Sequence, residues 1–194
     1  MVRRSHYWPL HDGEFITAKK GMLLMSTDTA LLLIRLLIGL IMAAHGAQKL
    51  FGWFGGRGFD GALRLAVHQR LRPAPFWAVM AGLTELNGVL LAVGLLGPVG
   101  ELGVIASMTM AIITAHWPRF FVTNNGLEYP LVLLVTALAL AISGPGAYSL
   151  DALLRLTVPE PATLIVGLAA LALGTAVALG TRVPQQHAAQ QATI

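Results

Sequence analysis

Long apolar runs recur along this sequence, and they constrain its fold more than any other feature. They cover approximately residues 29–48, 76–96, 99–117, 127–143 and 162–180. A helix of about 20 apolar residues is long enough to cross about 30 Å of hydrocarbon. Only 11% of the residues are charged, whereas a typical soluble domain has about 25%, and the mean hydropathy is +0.70. The sequence therefore predicts an all-α integral membrane protein.

Short connections between the runs predict one membrane domain with flanking segments. We expect a four-helix transmembrane bundle over residues 28–158 and a fifth, C-terminal transmembrane helix over 159–181. Residues 1–27 are predicted to be a polar, interfacial tail, and 182–194, rich in Gln and Ala, a disordered tail. An odd number of spans places the two ends of the chain on opposite sides of the membrane. The distribution of Lys and Arg leaves the orientation open.

Charge and cysteine content exclude several classes of function. The chain has no cysteine, which removes disulfides, thiolate metal sites and cysteine nucleophiles. Its net charge is +4. In so apolar a chain, we attribute this charge to loops that face anionic lipid. The predicted partner is therefore the lipid bilayer, and nucleic acid is not expected.

Small residues line one face of each of the first two spans. In the first span, residues on that face recur every three or four positions: Arg35, Gly39, Met42 and Gly46. In the second span, the corresponding stripe has a carboxylate at its centre: Ala78, Ala81, Gly82, Glu85, Gly88 and Ala92. Such faces allow close packing between membrane helices. Asn87 points about 160° away from Glu85 and is expected to meet another neighbour.

The topology places several ionisable residues at one face of the membrane, each at the end of a helix. They are His45, Lys49, His116, Glu128 and Tyr129. Counting residues along the helices places Glu85 about 14 Å below that face and Arg35 about 20 Å below it. An ionisable residue within a span is by default a functional hypothesis. Either Arg35 and Glu85 form a buried ion pair that locks the two helices, or Glu85 is a proton acceptor beneath the surface site.

The roles of the two histidines and of the glycine-rich loop stay open. His45 and His116 are a proton-handling pair, ligands to a bound group, donors to a quinone carbonyl, or simply interfacial residues. No sequence pattern of a zinc hydrolase, a serine hydrolase or a P-loop occurs, and neither a metal nor a haem is predicted. The loop after Leu50 alternates glycine with aromatic residues, including Trp53, which is typical of a membrane boundary. A short interfacial helix is predicted over 62–67.

Four motifs, in order, resemble the DoxX family. HGxxKLFGWFGG begins at His45, ExNG begins at Glu85, GLEYP begins at Gly126, and GPGAYSLD begins at Gly144. The resemblance covers about residues 31–154. The N-terminal tail and the fifth span lie outside it.

This resemblance implies a four-helix membrane core associated with redox chemistry. A related branch of the family forms the membrane part of a thiosulfate:quinone oxidoreductase, and other members resemble partners of oxidoreductase complexes that act in oxidative-stress defence. We therefore expect a multi-pass subunit of a redox system in the cell membrane. Quinone is the expected cofactor, and thiosulfate is an example of the sulfur compound oxidised. The expected partners are a second oxidoreductase subunit, a peripheral redox protein or a second copy of the chain.

Within this hypothesis, the candidate residues fall into two groups. The catalytic candidates are His45, Glu85, His116 and Glu128. The candidates for binding substrate or quinone are Arg35, Lys49, Trp53, Asn87 and Tyr129. The alternative is a non-catalytic scaffold for a peripheral oxidoreductase, in which the buried charges only hold the bundle together. A transporter ranks last because the sequence shows no repeat and no pair of broken helices.

Overall fold

Helices account for most of the chain in the computed structural model, which describes residues 12–182. No β-strand occurs among these residues. The helices are α1 (Asp12–Phe51), α2 (Gly58–His68), α3 (Ala74–Leu86), α4 (Gly88–Val93), α5 (Val99–Ala111), α6 (Glu128–Ser143), α7 (Leu150–Leu154) and α8 (Glu160–Gly180). A π-helical turn, Ile112–His116, continues α5, and short 3₁₀ turns occupy Trp53–Gly55 and Val122–Asn124.

Four of these helical segments are long and apolar enough to cross a membrane. They are Lys20–Phe51, Ala74–Val93, Val99–His116 and Pro161–Gly180. The apolar helix α6 has 16 residues and is about 24 Å long at 1.5 Å per residue. Together, α1, α3–α4, α5 and α6 form the bundle, and α8 packs against α5. The predicted all-α membrane fold, with a bundle and a C-terminal fifth helix, is confirmed.

The two ends of the chain differ in how far the structure describes them. Helix α1 begins at Asp12, so most of the segment predicted as a polar tail over 1–27 continues the first span as one helix. The aromatic residues Tyr7 and Trp8 lie outside the described residues. The predicted disordered tail over 182–194 also lies outside them, apart from Arg182.

Helices α1 and α3–α4 approach each other so closely that their backbones are in contact. A Cβ atom built on Gly39 would lie 2.5 Å from the carbonyl oxygen of Gly88, and one built on Gly46 would lie 2.8 Å from the carbonyl oxygen of Gly82. Only glycine fits at these two positions without a shift of a helix, so the predicted small-residue faces do meet. This contact fixes the register of the two helices.

Helix α2 covers the beginning of α3. Its alanines Ala62 and Ala66 are buried against Ala74 and Ala78 of α3, while Arg64 on the opposite side is exposed. The sequence predicted a shorter helix over 62–67 lying on the membrane surface. In the structure this helix is longer, and its small-residue face packs on protein because α3 extends beyond the end of α1.

At the other end of the bundle, helix α7 is anchored by side chains of the GPGAYSLD segment. The hydroxyl of Ser149 accepts a hydrogen bond from the backbone N–H of Ala152 at 3.2 Å, which is the predicted N-cap. The carboxylate of Asp151 is buried and accepts hydrogen bonds from the N–H groups of Leu96 and Gly97 at 2.9 and 2.6 Å. Asp151 thereby fixes the turn that joins α4 to α5.

Candidate functional site

A cavity of about 520 Å³ lies in the half of the bundle that contains the α1–α2 connection. Helices α1, α2, α3, α5, α6 and α8 and the π-helical turn all contribute to its wall. Most of the lining is apolar, with Met42, Met80, Met108 and Met110 among the side chains. A mostly apolar cavity of this size with a few polar groups has the usual character of a small-molecule site.

Glu85 is the buried charge of this cavity. Its side chain is 6% exposed and forms an ion pair, through Oε1, with Nζ of Lys49, whose side chain is 25% exposed. The hydroxyl of Ser107 donates a second hydrogen bond to the same oxygen at 3.0 Å. The other oxygen, Oε2, is buried and has no hydrogen-bond partner among the residues that the structure describes. One carboxylate oxygen of a cavity-lining residue is therefore buried without a hydrogen-bond partner among the described residues.

Of the two alternatives for Arg35 and Glu85, the ion pair between them is wrong, because Glu85 pairs with Lys49. The register of α1 against α3 explains this choice of partner. The contact of Gly46 with Gly82 and Leu86 places Glu85 level with the last turns of α1. At 1.5 Å per residue, Lys49 is about 4.5 Å from Gly46 along the helix axis, whereas Arg35 is about 16 Å away in the other direction. Lys49 is therefore the cation within reach of Glu85.

Arg35 belongs to a separate cluster of buried charges at the α7 end. It is 1% exposed, and its Nη2 donates a hydrogen bond to the carbonyl oxygen of Tyr148 at 2.6 Å. The carboxylates of Glu101, Asp151 and Asp28 interact electrostatically with its guanidinium. Sequence reasoning did not single out these three acids. Glu101 could have been noticed in the sequence, because it is a carboxylate in the first turn of an apolar span, α5.

Both histidines line the cavity, as the topology predicted. His45 is exposed on α1. His116 lies on the π-helical turn, and its Nδ1 is 2.8 Å from the carbonyl oxygen of Asn125. Because a carbonyl only accepts hydrogen bonds, Nδ1 must carry a proton, and in the neutral ring Nε2 is then an acceptor. A single π-helical turn within an α-helix is frequently found at functional sites.

The nine predicted site residues divide between the cavity wall and other places. Five line the cavity: His45, Lys49, Glu85, His116 and Tyr129. The remaining four, which lie outside its wall, are Arg35, Trp53, Asn87 and Glu128. Of the five ionisable helix-end residues that the topology assigned to one face, all except Glu128 line the cavity.

Local structure explains the three outliers near the cavity. The Oε2 of Glu128 accepts a hydrogen bond from the N–H of Val122 at 3.0 Å, which closes the α5–α6 connection. Trp53 is 59% exposed and stacks on Phe51, with ring centroids 5.3 Å apart. Asn87 lies at the joint between α3 and α4 and packs against Gly103 of α5, as its position on another face predicted.

Sequence reasoning missed several contributors to the wall. Ser107, which donates a hydrogen bond to Glu85, was not among the candidate residues. Met108 and Met110 were not among them either, and both line the cavity. Helix α8 was assigned no role, yet Leu171, Gly174 and Thr175 form part of the wall. Within residues 12–182, no group of three or more His, Asp or Glu side chains is arranged to hold a metal ion.

Comparison with known proteins gives the family. The sequence model of the DoxX family matches residues 30–117. A Bacillus subtilis (strain 168) protein named "Putative oxidoreductase CatD" is 31% identical over 128 residues, which is 65% of this chain and 87% of that protein. No solved structure matches the chain. The chain belongs to the DoxX family of multi-pass membrane proteins.

Proposed function

We propose that this protein is the membrane subunit of a redox system and that it reduces a quinone in the cavity beside Glu85. The electrons come from a small sulfur oxyanion such as thiosulfate. The observation that carries the proposal is Glu85, a buried carboxylate that lines an apolar cavity and whose Oε2 has no hydrogen-bond partner among the described residues. Family membership and the oxidoreductase name of the B. subtilis relative support the redox class.

The hydrogen-bonding character of the cavity suits the reduced form of the ligand. A buried polar atom without a partner costs about 1–3 kcal/mol, so a ligand hydroxyl that donates to Oε2 of Glu85 is favoured. When the ring of His116 is neutral, its Nε2 is a second acceptor, because Nδ1 carries the proton that is donated to Asn125. A quinol has two hydroxyl donors, whereas a quinone has only acceptors. Two acceptors therefore stabilise the product of quinone reduction.

The electrons and protons exchanged in the reaction define the roles of these residues. Two thiosulfate ions join through a new S–S bond to form tetrathionate and release two electrons. Quinone reduction consumes these two electrons and two protons. The protons come from water at the membrane face, where His45 is exposed, and Glu85 passes them to the ligand oxygen. Lys49 holds the Glu85 carboxylate in place through the ion pair.

The oxyanion donor needs a cationic surface other than Lys49. The charge of Lys49 is neutralised by Glu85, so Lys49, a candidate for binding the substrate, has little electrostatic attraction left for an anion. Exposed arginines follow in the connection to α3: Arg57, Arg64 and Arg72. A cluster of like charges of this kind attracts anions and raises their local concentration. We therefore place the approach of the donor at this arginine surface.

Membrane vesicles that contain the protein test the proposal. We expect thiosulfate to reduce a quinone analogue in these vesicles, and we expect Glu85→Gln to abolish most of this activity. Vesicles without the protein are the control. If quinone reduction does not exceed this control, the proposed function is wrong.

The second candidate is a non-catalytic scaffold for a peripheral oxidoreductase. The supporting observation is a group of exposed aromatic side chains in the two connections at the cavity end: Trp53, Phe54, Phe120 and Phe121. Exposed apolar patches of this kind mark membrane or protein contacts. Substituting His45 and Glu85 separately discriminates the two functions. Normal assembly of the complex with lost turnover favours chemistry, and lost assembly favours the scaffold.

A further inference from the structure

We infer that helix α8 is the lipid-facing wall of the cavity and that the isoprenoid tail of a long-chain quinone leaves the cavity beside Gly174. This inference rests on the proposed function. It assigns a specificity-determining role to a helix outside the family match, which ends at residue 117.

Helix α8 separates the cavity from the surrounding lipid with a single layer of side chains. Leu171, Gly174 and Thr175 line the cavity, and their spacing places them on one face of the helix. The outward side chains Ile165 and Leu173 are 67% and 68% exposed. No charged residue lies between Pro161 and Gly180. A ligand that passes this helix therefore moves from the cavity directly into an apolar environment.

The helix is fixed on both sides of Gly174. Towards its beginning, Gly167 packs tightly on Leu102 of α5. Beyond its end, Nε of Arg182 donates a hydrogen bond to the carbonyl oxygen of Gln69, next to α2, at 3.1 Å. A Cβ atom built on Gly174, by contrast, would meet no atom within 4 Å. Open space therefore remains beside Gly174 at the wall of the cavity, which Leu65 of α2 and Trp77 of α3 also line.

The distribution of polar groups identifies the ligand class. The ionisable residues of the wall lie on α1, α3, α6 and the π-helical turn, and α8 contributes none. A ligand that occupies the whole cavity therefore has a polar head near Glu85 and an apolar chain along α8. A quinone without a tail would use only the polar part and would not depend on Gly174.

Gly174→Trp tests this inference because it fills the open space without a backbone clash. Gly180→Trp is the matched control: Gly180 lies on the same helix, also has no atom within 4 Å of a built Cβ, and is not part of the wall. We would measure the Kd of each purified full-length protein for a tail-free quinone and for a long-tailed quinone. Gly174→Leu repeats the test with a smaller side chain, and circular dichroism checks the folding of each variant.

We expect Gly174→Trp to raise the Kd for the long-tailed quinone about tenfold or more, the scale of overpacking effects. The Kd for the tail-free quinone should stay close to that of the unsubstituted protein, and Gly180→Trp should change neither value. If the Gly174 variants change the Kd for both quinones equally, or change neither, the role of α8 is refuted while the proposed function still stands. If the unsubstituted protein binds neither quinone, the proposed function fails as well.

Discussion

Replacing Glu85 with glutamine separates the chemical role of this carboxylate from its structural role. The substitution keeps the shape of the side chain and the hydrogen bond from Ser107, but it removes the charge that pairs with Lys49. Exposed ion pairs contribute about 0–1 kcal/mol, and breaking a buried pair costs about 3–5 kcal/mol. Because the Lys49 side chain is 25% exposed, we expect an intermediate loss of about 1–3 kcal/mol.

The effect on turnover should be larger than this loss of stability implies. Removing a positioned proton-transfer group typically lowers a rate by about 10²–10⁴-fold. Glu85→Gln should therefore lower the rate of quinone reduction by at least about 10²-fold. The assay follows quinone reduction in vesicles at matched protein amounts, and thermal unfolding in detergent measures stability. Ser107→Ala is the matched control. It removes one hydrogen bond, costing about 1 kcal/mol, and leaves the carboxylate in place.

A double substitution completes the test. In Lys49→Gln combined with Glu85→Gln, no unpaired ammonium remains, so part of the stability lost in Glu85→Gln should return while turnover stays low. If Glu85→Gln alone retains normal turnover, the proton-transfer role of Glu85 is refuted. If the double variant regains both stability and turnover, the pair serves only to hold the bundle.

Three further substitutions test the fold and the wall of the cavity. Gly46→Ala should lower the stability measured by thermal unfolding by about 1–3 kcal/mol, because the added methyl group overpacks the contact between α1 and α3. Gly21→Ala on the same helix, where a Cβ meets nothing within 4 Å, should be neutral or stabilise by up to about 1 kcal/mol. Equal effects of the two substitutions would contradict the helix contact. Asp151→Asn should cost about 1–2 kcal/mol in the same measurement and leave turnover unchanged, and a loss of turnover would contradict its purely structural role. His116→Phe should raise the Kd for a quinol about three- to tenfold in a binding titration, and an unchanged Kd would remove His116 from the site.

Features that depend on local sequence could be predicted. The apolar runs gave the spans because crossing a bilayer requires a minimum length. Ser149 could be identified as an N-cap because a short hydroxyl side chain before a helix bonds to its free N–H groups. The glycine-bearing faces of the first two spans were predicted from helical periodicity alone. These inferences need no knowledge of how far one helix extends beyond another.

The partner of Glu85 could not be predicted because it depends on helix register. The sequence argument measured every depth from a common membrane face, as if the helices ended level. With Gly46 beside Leu86, α1 continues only about 7 Å to Phe51, whereas α3 continues about 18 Å in the same direction to Ala74, at 1.5 Å per residue. Depth in the membrane, when counted in residues from the helix ends, therefore placed Glu85 too close to Arg35 and too far from Lys49.

Glu128 lies outside the cavity wall for a different reason. The α5–α6 connection folds back on itself, with the N–H groups of Leu127 and Glu128 donating to the carbonyl oxygens of Arg119 and Phe120, each at 2.9 Å. This turn directs the Glu128 carboxylate to the N–H of Val122. Residue counting placed Glu128 at the correct end of the bundle. It could not show that the carboxylate is used by its own loop.

The cavity exists because α3 extends further than α1 beyond the contact between these two helices. Because α3 projects beyond the end of α1, its exposed side requires another element to cover it, and this element is α2. Helices α6 and α8, which pack against α5, complete the wall of the cavity. The Lys49–Glu85 pair, Ser107 and His116 lie within residues 30–117, which match the family, whereas Tyr129 and the α8 wall lie beyond them. The charged part of the site and much of its apolar wall thus lie within the residues that match the family, and α8 adds a further, uncharged part of the wall. We therefore expect substitutions in α8 to alter the binding of the proposed quinone tail without disturbing the charged residues of the wall.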